Sequence, residues 1–567
     1  MKTKKAHFIN STIPGIPAIQ LHRWIFGLLL IISVSICNAQ VTKSELGMVA
    51  SAHPLASSAG IEILKKGGNA VDAAVATACA LAVVEPNASG LGGGGFMLIK
   101  MKGSEQPIVI DYRETAPGAV NPATYYQSKE SFTEFTQNSP MAVGTPGSIA
   151  GWTLALEKYG TMALAQVAEP AIRYANQGFI VSEKFAAIIL QNYELILNNP
   201  ATAALFLNNG LPAEQGMLIK NPDLAQSFQK LSSNGAAIFY AGEIANTIIE
   251  QIHRENGILK KDDLQKYHAI IRKPVRGSYR GFDIVSSSPP AAGGTHLIEL
   301  LNILEQYDLQ RFQCNSAEYI HILAEAMKMV FADKEVNMAD PAFYNVPVTR
   351  LTDKNYAANL SKRIKPDTVS ADYKPPAFIT RESGSTTHLS VVDEQRNVIA
   401  LTQSINKFFG SGITVKGTGL ILNNHLADFS PDPANPNSIE PYKRPVSNMA
   451  PTILLKDGVP VLTIGTPGGL RIISALCQVI INIVDFGMNI DDAIEAPRVH
   501  AFGDILELEG RIPQAVGDDL EKLGHKIKYH DGFDNYFGGV QGIFIDVKNK
   551  KLYGGCDSRR DGVAIGF

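Results

Sequence analysis

The sequence predicts a large α/β protein of the α+β kind, helical for most of its first two thirds and rich in strands after residue 386. Three observations carry this prediction. Residues 70–84 are almost entirely Ala, Val and Leu, apolar on every side, which is the pattern of a helix buried in a large core. Residues 139–375 are mostly helical in pattern, with long segments at 297–307 and 316–336. Beyond a polar transition at 366–376, short alternating runs separated by turns describe paired strands.

The balance of the chain agrees with such a core. Its 567 residues are 45% hydrophobic and 19% charged. A rule of roughly 150 residues per domain would give several domains, but large α/β enzymes exceed it. The 51 basic and 54 acidic residues leave a net charge of -3, and no basic stripe offers a nucleic acid a binding face.

The N-terminus reads as a targeting segment. Lys2, Lys4, Lys5, His22 and Arg23 precede an apolar run at 24–36 and then Cys37-Asn38-Ala39. The run is shorter than the ~20 residues that span a bilayer, and Cys37 and Ala39 have the small-residue spacing of a signal peptidase site. Residues 1–39 are therefore expected to be a signal peptide. The mature protein would be exported, periplasmic or secreted, with no stable membrane span. A lipoprotein signal at Cys37 competes with this reading, and bulky Ile36 counts against it. The remaining Cys79, Cys314, Cys477 and Cys556 are scattered and suggest no disulfide framework. Without a Cys-x-x-Cys or His-x-x-x-His pair, neither a metal nor another cofactor is expected.

Two helices should follow in quick succession. Ser57 or Ser58 is placed to cap the first and Gly67-Gly68 to end it; Asn69 starts the second, with Asp72 as its capping-box partner. The glycines of Ser89-Gly90-Leu91-Gly92-Gly93-Gly94-Gly95-Phe96 formally contain a dinucleotide-binding pattern. That site needs a strand before the glycines and a helix after them, and here the order is reversed. A strand pair at 96–100 and 107–111 should follow instead, the glycines allowing backbones to approach closely.

The β region holds the chemistry. Strands at 387–393 and 398–404 should form a hairpin, and pairing Asp393 with Asn397 places Thr386 opposite Ser404, at about 4.5–5.5 Å between Cβ atoms. Asn406 shares the parity of Ser404. A second hairpin at 451–466 turns at Asp457-Gly458 and leads through Pro467-Gly468-Gly469 into a helix at 471–486. Thr386 is the residue of interest, because a threonine hydroxyl becomes a useful nucleophile when a base stands beside it. Its own α-amine, once freed by cleavage after Ser385, can be that base. Taken alone, the segment reads more readily as an ordinary loop entering an ordinary strand.

Several stretches together resemble the γ-glutamyltransferases, members of the N-terminal-nucleophile hydrolases. They are residues 49–57 (Val-Ala-Ser-Ala-His-Pro-Leu-Ala-Ser), residues 67–76 from Gly67-Gly68-Asn69 onward, Asp111-Tyr112-Arg113-Glu114, Thr386-Thr387-His388 and Pro467-Gly468-Gly469. The resemblance runs from about Met48 to Phe567. It implies a four-layer αββα sandwich, made as one precursor that cuts itself between Ser385 and Thr386. A large subunit (40–385) and a small catalytic subunit (386–567) would then form one domain as a heterodimer.

The resemblance also implies roles. Thr386 would be nucleophile and, through its amine, base, with Ser404 as hydroxyl partner and the N–H groups of Gly468 and Gly469 as oxyanion hole. Arg113 and Ser447 would hold a substrate α-carboxylate, Asp428 and Asn406 its α-amino group. The implied substrates are glutathione and related γ-glutamyl compounds, with water, amino acids or peptides as acceptors. The chain departs from the family at Ser404 (often Thr), at His425 (usually Gln or Glu) and at Ser447-Asn448 (usually Ser-Ser). The stretch 429–442 is also short where several members carry a lid, so a pocket open to water and to bulky donors is expected. His425 and Asn448 keep open a relative acting on glutaryl amides or on poly-γ-glutamyl capsules. An unprocessed binding protein with the same fold is the alternative of another class.

Overall fold

The computed structural model describes residues 42–370 and 385–567, and residues 42–567 form one compact unit. The expected signal peptide and the residues just before Ser385 lie outside the described residues.

Two seven-stranded sheets form the centre. In one, the strand Thr387–Val392 lies between Met48–Ser51 and Val398–Ser404, and Gly94–Lys100, Ile108–Asp111 and Ile270–Arg272 extend the sheet from there. In the other, Val459–Gly465 lies between Gln541–Asp546 and Thr452–Lys456, with Phe282–Ser286 and Val275–Tyr279 beyond. Side chains alternate between the two faces of each strand. Leu389, Val391, Ile399 and Leu401 face the helices, whereas Val392, Val398 and Ala400 meet Ile453, Ile543 and Leu552 of the other sheet. Helices Pro54–Lys65 and Ala70–Val84 cover the first sheet, and Ala292–Leu304 and Arg471–Val484 the second. The result is the expected αββα sandwich.

Helix Ala70–Val84 is buried at every residue, as its composition requires. Asn69 Oδ1 accepts from the Val71 and Asp72 amides, and Asp72 Oδ2 accepts from Asn69 N at 2.8 Å, which completes the capping box. The preceding helix corrects an expectation. It starts at Pro54, not near Ser58, and its cap is His53, whose Nδ1 accepts from Leu55 N at 3.2 Å. Proline at the first helical position needs no N–H partner, so the helix begins earlier than a serine-cap rule suggests. Ser57 is free for another task, hydrogen-bonding Ser51 at 2.7 Å and the Val563 carbonyl at 2.7 Å.

The glycine-rich segment is where layers touch. A Cβ on Gly92 would lie 2.1 Å from the Ile421 carbonyl oxygen, and one on Gly93 would lie 2.1 Å from that of Ser404. Both neighbours are backbone and cannot give way, so only glycine fits. The strands Gly94–Lys100 and Ile108–Asp111 follow and pair antiparallel.

Candidate active site

The predicted hairpin register holds. Thr387 pairs with Gln403, Val392 pairs with Val398, and the Asp393 amide donates to the Asn397 carbonyl. One step beyond, Thr386 Oγ1 donates to Ser404 Oγ at 3.0 Å. Both side chains belong to the parity that faces the opposite sheet. Inward from them on that face, His388 Nδ1 lies 2.8 Å from Thr402 Oγ1, its ring fitting because Gly465 across the gap has no side chain. Thr386 thus sits where the space between the sheets opens.

The backbone at Thr386 is unusual, with φ at 100°. A β-branched residue in that region is a genuine outlier, strained by on the order of 1–3 kcal/mol. Ser385 on its N-terminal side is fully buried.

The strand Val459–Gly465 of the other sheet delivers Thr466, Pro467, Gly468 and Gly469 to the same opening. Gly468 has φ 132° and Gly469 has φ 58°, left-handed conformations that glycine adopts without a Cβ penalty. In the bonds that close this turn both glycines act as acceptors, Gly468 O from Arg471 N and Gly469 O from Ile472 N. Helix Arg471–Val484 starts immediately afterwards, so its positive end points at the opening. Gly469 borders the cavity that contains Thr386 and Ser404, whereas Gly468 does not line it and packs against Gly538 and Arg471.

The other walls of this cavity bring Arg113, Asn406, His425, Asp428, Ser447 and Asn448 together. Arg113 follows strand Ile108–Asp111 and is wholly buried. Its guanidinium donates to the Pro445 and Val446 carbonyls at 3.2 and 3.1 Å and meets the Asp428 carboxylate. Glu114, next in the chain, is farther, at 3.5 Å. Asn406 lies past the end of strand Val398–Ser404, with φ 78°, so it reaches the cavity through the turn and not by strand parity, and its N–H donates to Ser404 Oγ at 2.8 Å. Ser447 pairs in a short bridge with Ala291, whose neighbour Ala292 donates to the Ser447 carbonyl at 2.6 Å.

Two residues with supporting positions were not singled out from the sequence. Arg444 braces Arg113 by donating to its carbonyl, and reaches Asp111 at 3.4 Å and the His268 carbonyl at 2.9 Å. Glu114 lies under His425, with Oε1 2.9 Å from His425 Nδ1. Burial raises the Glu114 carboxyl to about 8, although Arg113 and Arg444 oppose the shift. Burial, reinforced by Arg113, keeps the His425 imidazole well below its ordinary range, with Asp428 opposing.

The segment 429–442 is tied down rather than folded over Thr386. Asn435 Nδ2 donates to the Glu335 carbonyl at 2.9 Å, and Tyr126 Oη donates to the Ser430 carbonyl at 3.0 Å. A second cavity beside Lys334, Glu335 and Asn435 shares Asp428 and Asn448 with the first. Among the described residues no group of His, Cys, Asp and Glu is arranged to hold a metal ion, and no helix is long and apolar enough to cross a membrane.

Comparison with known proteins bears on this geometry. Residues 56–567 match the model of the Gamma-glutamyltranspeptidase family. The chain is 39% identical over 553 residues to the Glutathione hydrolase proenzyme of Escherichia coli (strain K12), covering 93% of this chain and 92% of that protein. It is also 39% identical over 498 residues to the Acylase ACY 1 proenzyme of Pseudomonas sp. (strain SE83), covering 87% and 89%. Among solved structures, cephalosporin acylase from Bacillus halodurans superposes with a TM-score of 0.83 at 29% identity, covering 93% of this chain and 97% of that one. With the predicted sandwich, hairpin and glycine turn all in place, the chain is an enzyme of the gamma-glutamyltranspeptidase family.

Proposed function

We propose that the chain is a self-processing γ-glutamyltransferase that cleaves γ-glutamyl amides such as glutathione through an ester on Thr386. The observation that carries the reading is the opposed pair Arg113 and Asp428, which stand side by side at the wall of the cavity containing Thr386. A γ-glutamyl group ends in an α-carboxylate and an α-ammonium on one carbon, and a cation next to an anion matches both. Ser447 adds a hydrogen bond to the carboxylate, Asn406 and His425 contact the amino side, and Asn448 closes the wall.

Processing comes first. Thr386 Oγ1 attacks the carbonyl carbon of Ser385, the Ser385–Thr386 amide bond breaks, and the Thr386 nitrogen takes up the proton that the hydroxyl gives up. Water then opens the resulting ester, leaving a Ser385 carboxylate on the large subunit (40–385) and a free Thr386 amine on the small one (386–567). The φ of 100° favours this step, because cleavage removes the atom that defines that torsion.

In turnover the amine, with an ordinary pKa of about 8, takes the hydroxyl proton as Oγ1 attacks the γ-amide carbon. The N–H groups of Gly468 and Gly469 hold the developing oxyanion, a contribution commonly worth about 3 kcal/mol per donor. Collapse expels the leaving amine, which takes the proton back from the α-ammonium. Water, an amino acid or a peptide then attacks the ester and restores Thr386. Ser404 steadies the hydroxyl throughout. An exported heterodimer working on small solutes fits this chemistry.

The tied-down 429–442 segment and the adjoining second cavity leave room for long donors and for water. Hydrolysis should therefore compete well with transfer, and a poly-γ-glutamyl donor should be accepted alongside glutathione. The acylase relatives make glutaryl amides the second reading, favoured by His425, which contributes no fixed anion for an ammonium. Turnover of γ-glutamyl and glutaryl anilides separates the two. Preference for the γ-glutamyl compound is expected, and preference for the glutaryl compound would replace this reading with the other.

A further inference from the structure

A separate cavity, sharing no lining residue with the one at Thr386, lies where helix Lys261–Lys266, the sheet-edge strand Ile270–Arg272 and the stretches around Phe343 and Tyr442 meet. It holds about 400 Å³, against about 30 Å³ at Thr386, which is room for a whole small ligand. Tyr267, Phe343 and Tyr442 line it, and the last two are 43% and 47% exposed. Each ring has a cation over it: Arg444 over Tyr267 at 5.4 Å, Lys443 over Phe343 at 5.3 Å and Lys266 over Tyr442 at 5.9 Å. Aromatic surface and positive charge therefore lie side by side in the lining.

The polar groups here differ in what they have left to offer. Asp263 accepts from the Gly118 and Lys260 amides at 2.8 and 2.7 Å, and Asp340 from the Ala342 and Arg444 amides at 3.0 and 2.9 Å. Each carboxylate oxygen of the lining thus already has a backbone donor. Arg444 commits its guanidinium to the Arg113 and His268 carbonyls, to Tyr267 Oη and to Asp111. Arg272 does not: Nε donates to Asp111 Oδ2 at 2.6 Å, and its terminal nitrogens have no acceptor among the described residues. Lys266 reaches only Asp262, at 3.6 Å on the exposed helix face, where water screens the pair. The spare groups are cationic donors, which select an anion, and two of them suit the two oxygens of one carboxylate.

We infer that this cavity is a second binding site, for an aromatic monocarboxylate whose anionic end meets Arg272 and Lys266 and whose ring lies against Phe343 and Tyr442. The site backs onto the substrate clamp. Tyr267 Oη donates to the Arg113 carbonyl at 2.8 Å, Arg444 donates to the same carbonyl, and Asp111 joins Arg272 to the Arg113 N–H, which it accepts at 2.9 Å. An anion on Arg272 and a substrate α-carboxylate on Arg113 share this cluster of charge and repel each other. The coupling is reciprocal, so the aromatic acid weakens binding of a γ-glutamyl donor without entering its cavity. Binding of the acid is independent of the γ-glutamyl reading; only its effect on the donor rests on that reading.

The probe is 3-phenylpropanoate, which has no amine to accept an acyl group and no γ-amide to donate one. Titration calorimetry of the processed enzyme should give a Kd of about 1 mM or below. Propanoate, lacking the ring, and 3-phenylpropanamide, lacking the charge, should bind at least about tenfold more weakly. Lys266→Gln and Phe343→Ala, at two exposed positions outside the Thr386 cavity, should each weaken binding about three- to tenfold while turning over a γ-glutamyl anilide as wild type does. In wild type the acid should raise KM for that anilide about two- to fivefold and then level off, with kcat unchanged, because both ligands bind at once. Absence of binding, equal binding of either control compound, or a Kd that ignores both substitutions overturns the inference. A KM that climbs in proportion to the acid without limit also overturns it, because that is competition at Arg113 itself, and a KM unmoved by saturating acid overturns the coupling. If the anilide is not turned over, the functional reading fails, and calorimetry still decides the site.

Discussion

Thr386 and Ser404 face each other at the open end of a two-stranded hairpin, hydroxyl to hydroxyl at 3.0 Å, and the Asn406 amide holds the far side of the Ser404 oxygen at 2.8 Å. Ser404→Ala removes the acceptor of both bonds. We expect kcat to fall about 10- to 100-fold, with slower appearance of the two fragments, and Ser404→Thr to restore both. Steady-state kinetics and timed electrophoresis read the two effects, and an alanine variant with wild-type rates would remove Ser404 from the mechanism.

Gly93 touches the same residue from behind, and a methyl group there would meet the Ser404 carbonyl oxygen at 2.1 Å. Gly93→Ala should displace the hairpin end, cost about 1–3 kcal/mol of stability and stop fragment formation. Gly103 is the control, because a Cβ there meets nothing within 4 Å, although its φ of 80° adds some strain. Gly103→Ala should process normally.

Far from the site, the Asn69 capping box can be probed separately from catalysis. Asn69→Ala leaves the Val71 and Asp72 amides without their acceptor and should lower unfolding stability by about 0.5–2 kcal/mol. Activity at ambient temperature should be unchanged in the same preparation. Denaturant titration alongside anilide turnover measures both.

His530 links stability to pH. Its burial opposes protonation, but Asp534 at 3.3 Å and Glu507 at 3.5 Å outweigh that and push the imidazole up to about 9. A pKa raised in the folded state stabilises fully below the unfolded value of about 6.5, and the contribution is lost as pH rises through about 9. The ring stacks on Tyr536, and the guanidinium of Arg471, at the start of the helix after Gly469, also lies over the Tyr536 ring. His530→Gln should therefore melt lower than wild type at pH 6 and approach it near pH 10, as thermal unfolding across that range would show. An offset that grows with pH would contradict the assignment.

Much of this was legible in the sequence because it depends on local pattern. The period-2 alternation of residues 387–404 and the three-residue loop Glu394-Gln395-Arg396 determined the register that puts Thr386 opposite Ser404. Asp457-Gly458 adopts the positive φ values, 51° and 79°, that a tight hairpin requires. What escaped is what depends on distant partners. Ile270–Arg272 and Val275–Tyr279 are short edge strands on either side of Lys273-Pro274, so nothing in their pattern distinguishes them from the helical region around them. Glu114 was visible beside Arg113, yet its contact with His425 spans more than 300 residues and comes only from the fold. Arg444 reads as a surface cation until Asp111 and the Arg113 carbonyl surround it.

The central claim is that Thr386 becomes a free N-terminus by the protein's own chemistry. Denaturing electrophoresis of the purified protein, with N-terminal sequencing of the bands, measures this directly. The account predicts two fragments, the smaller beginning Thr-Thr-His-Leu-Ser, and a single uncut, inactive chain for Thr386→Ala. A wild-type protein that is active while its chain remains whole, or a Thr386→Ala protein that still divides at this bond, would contradict it.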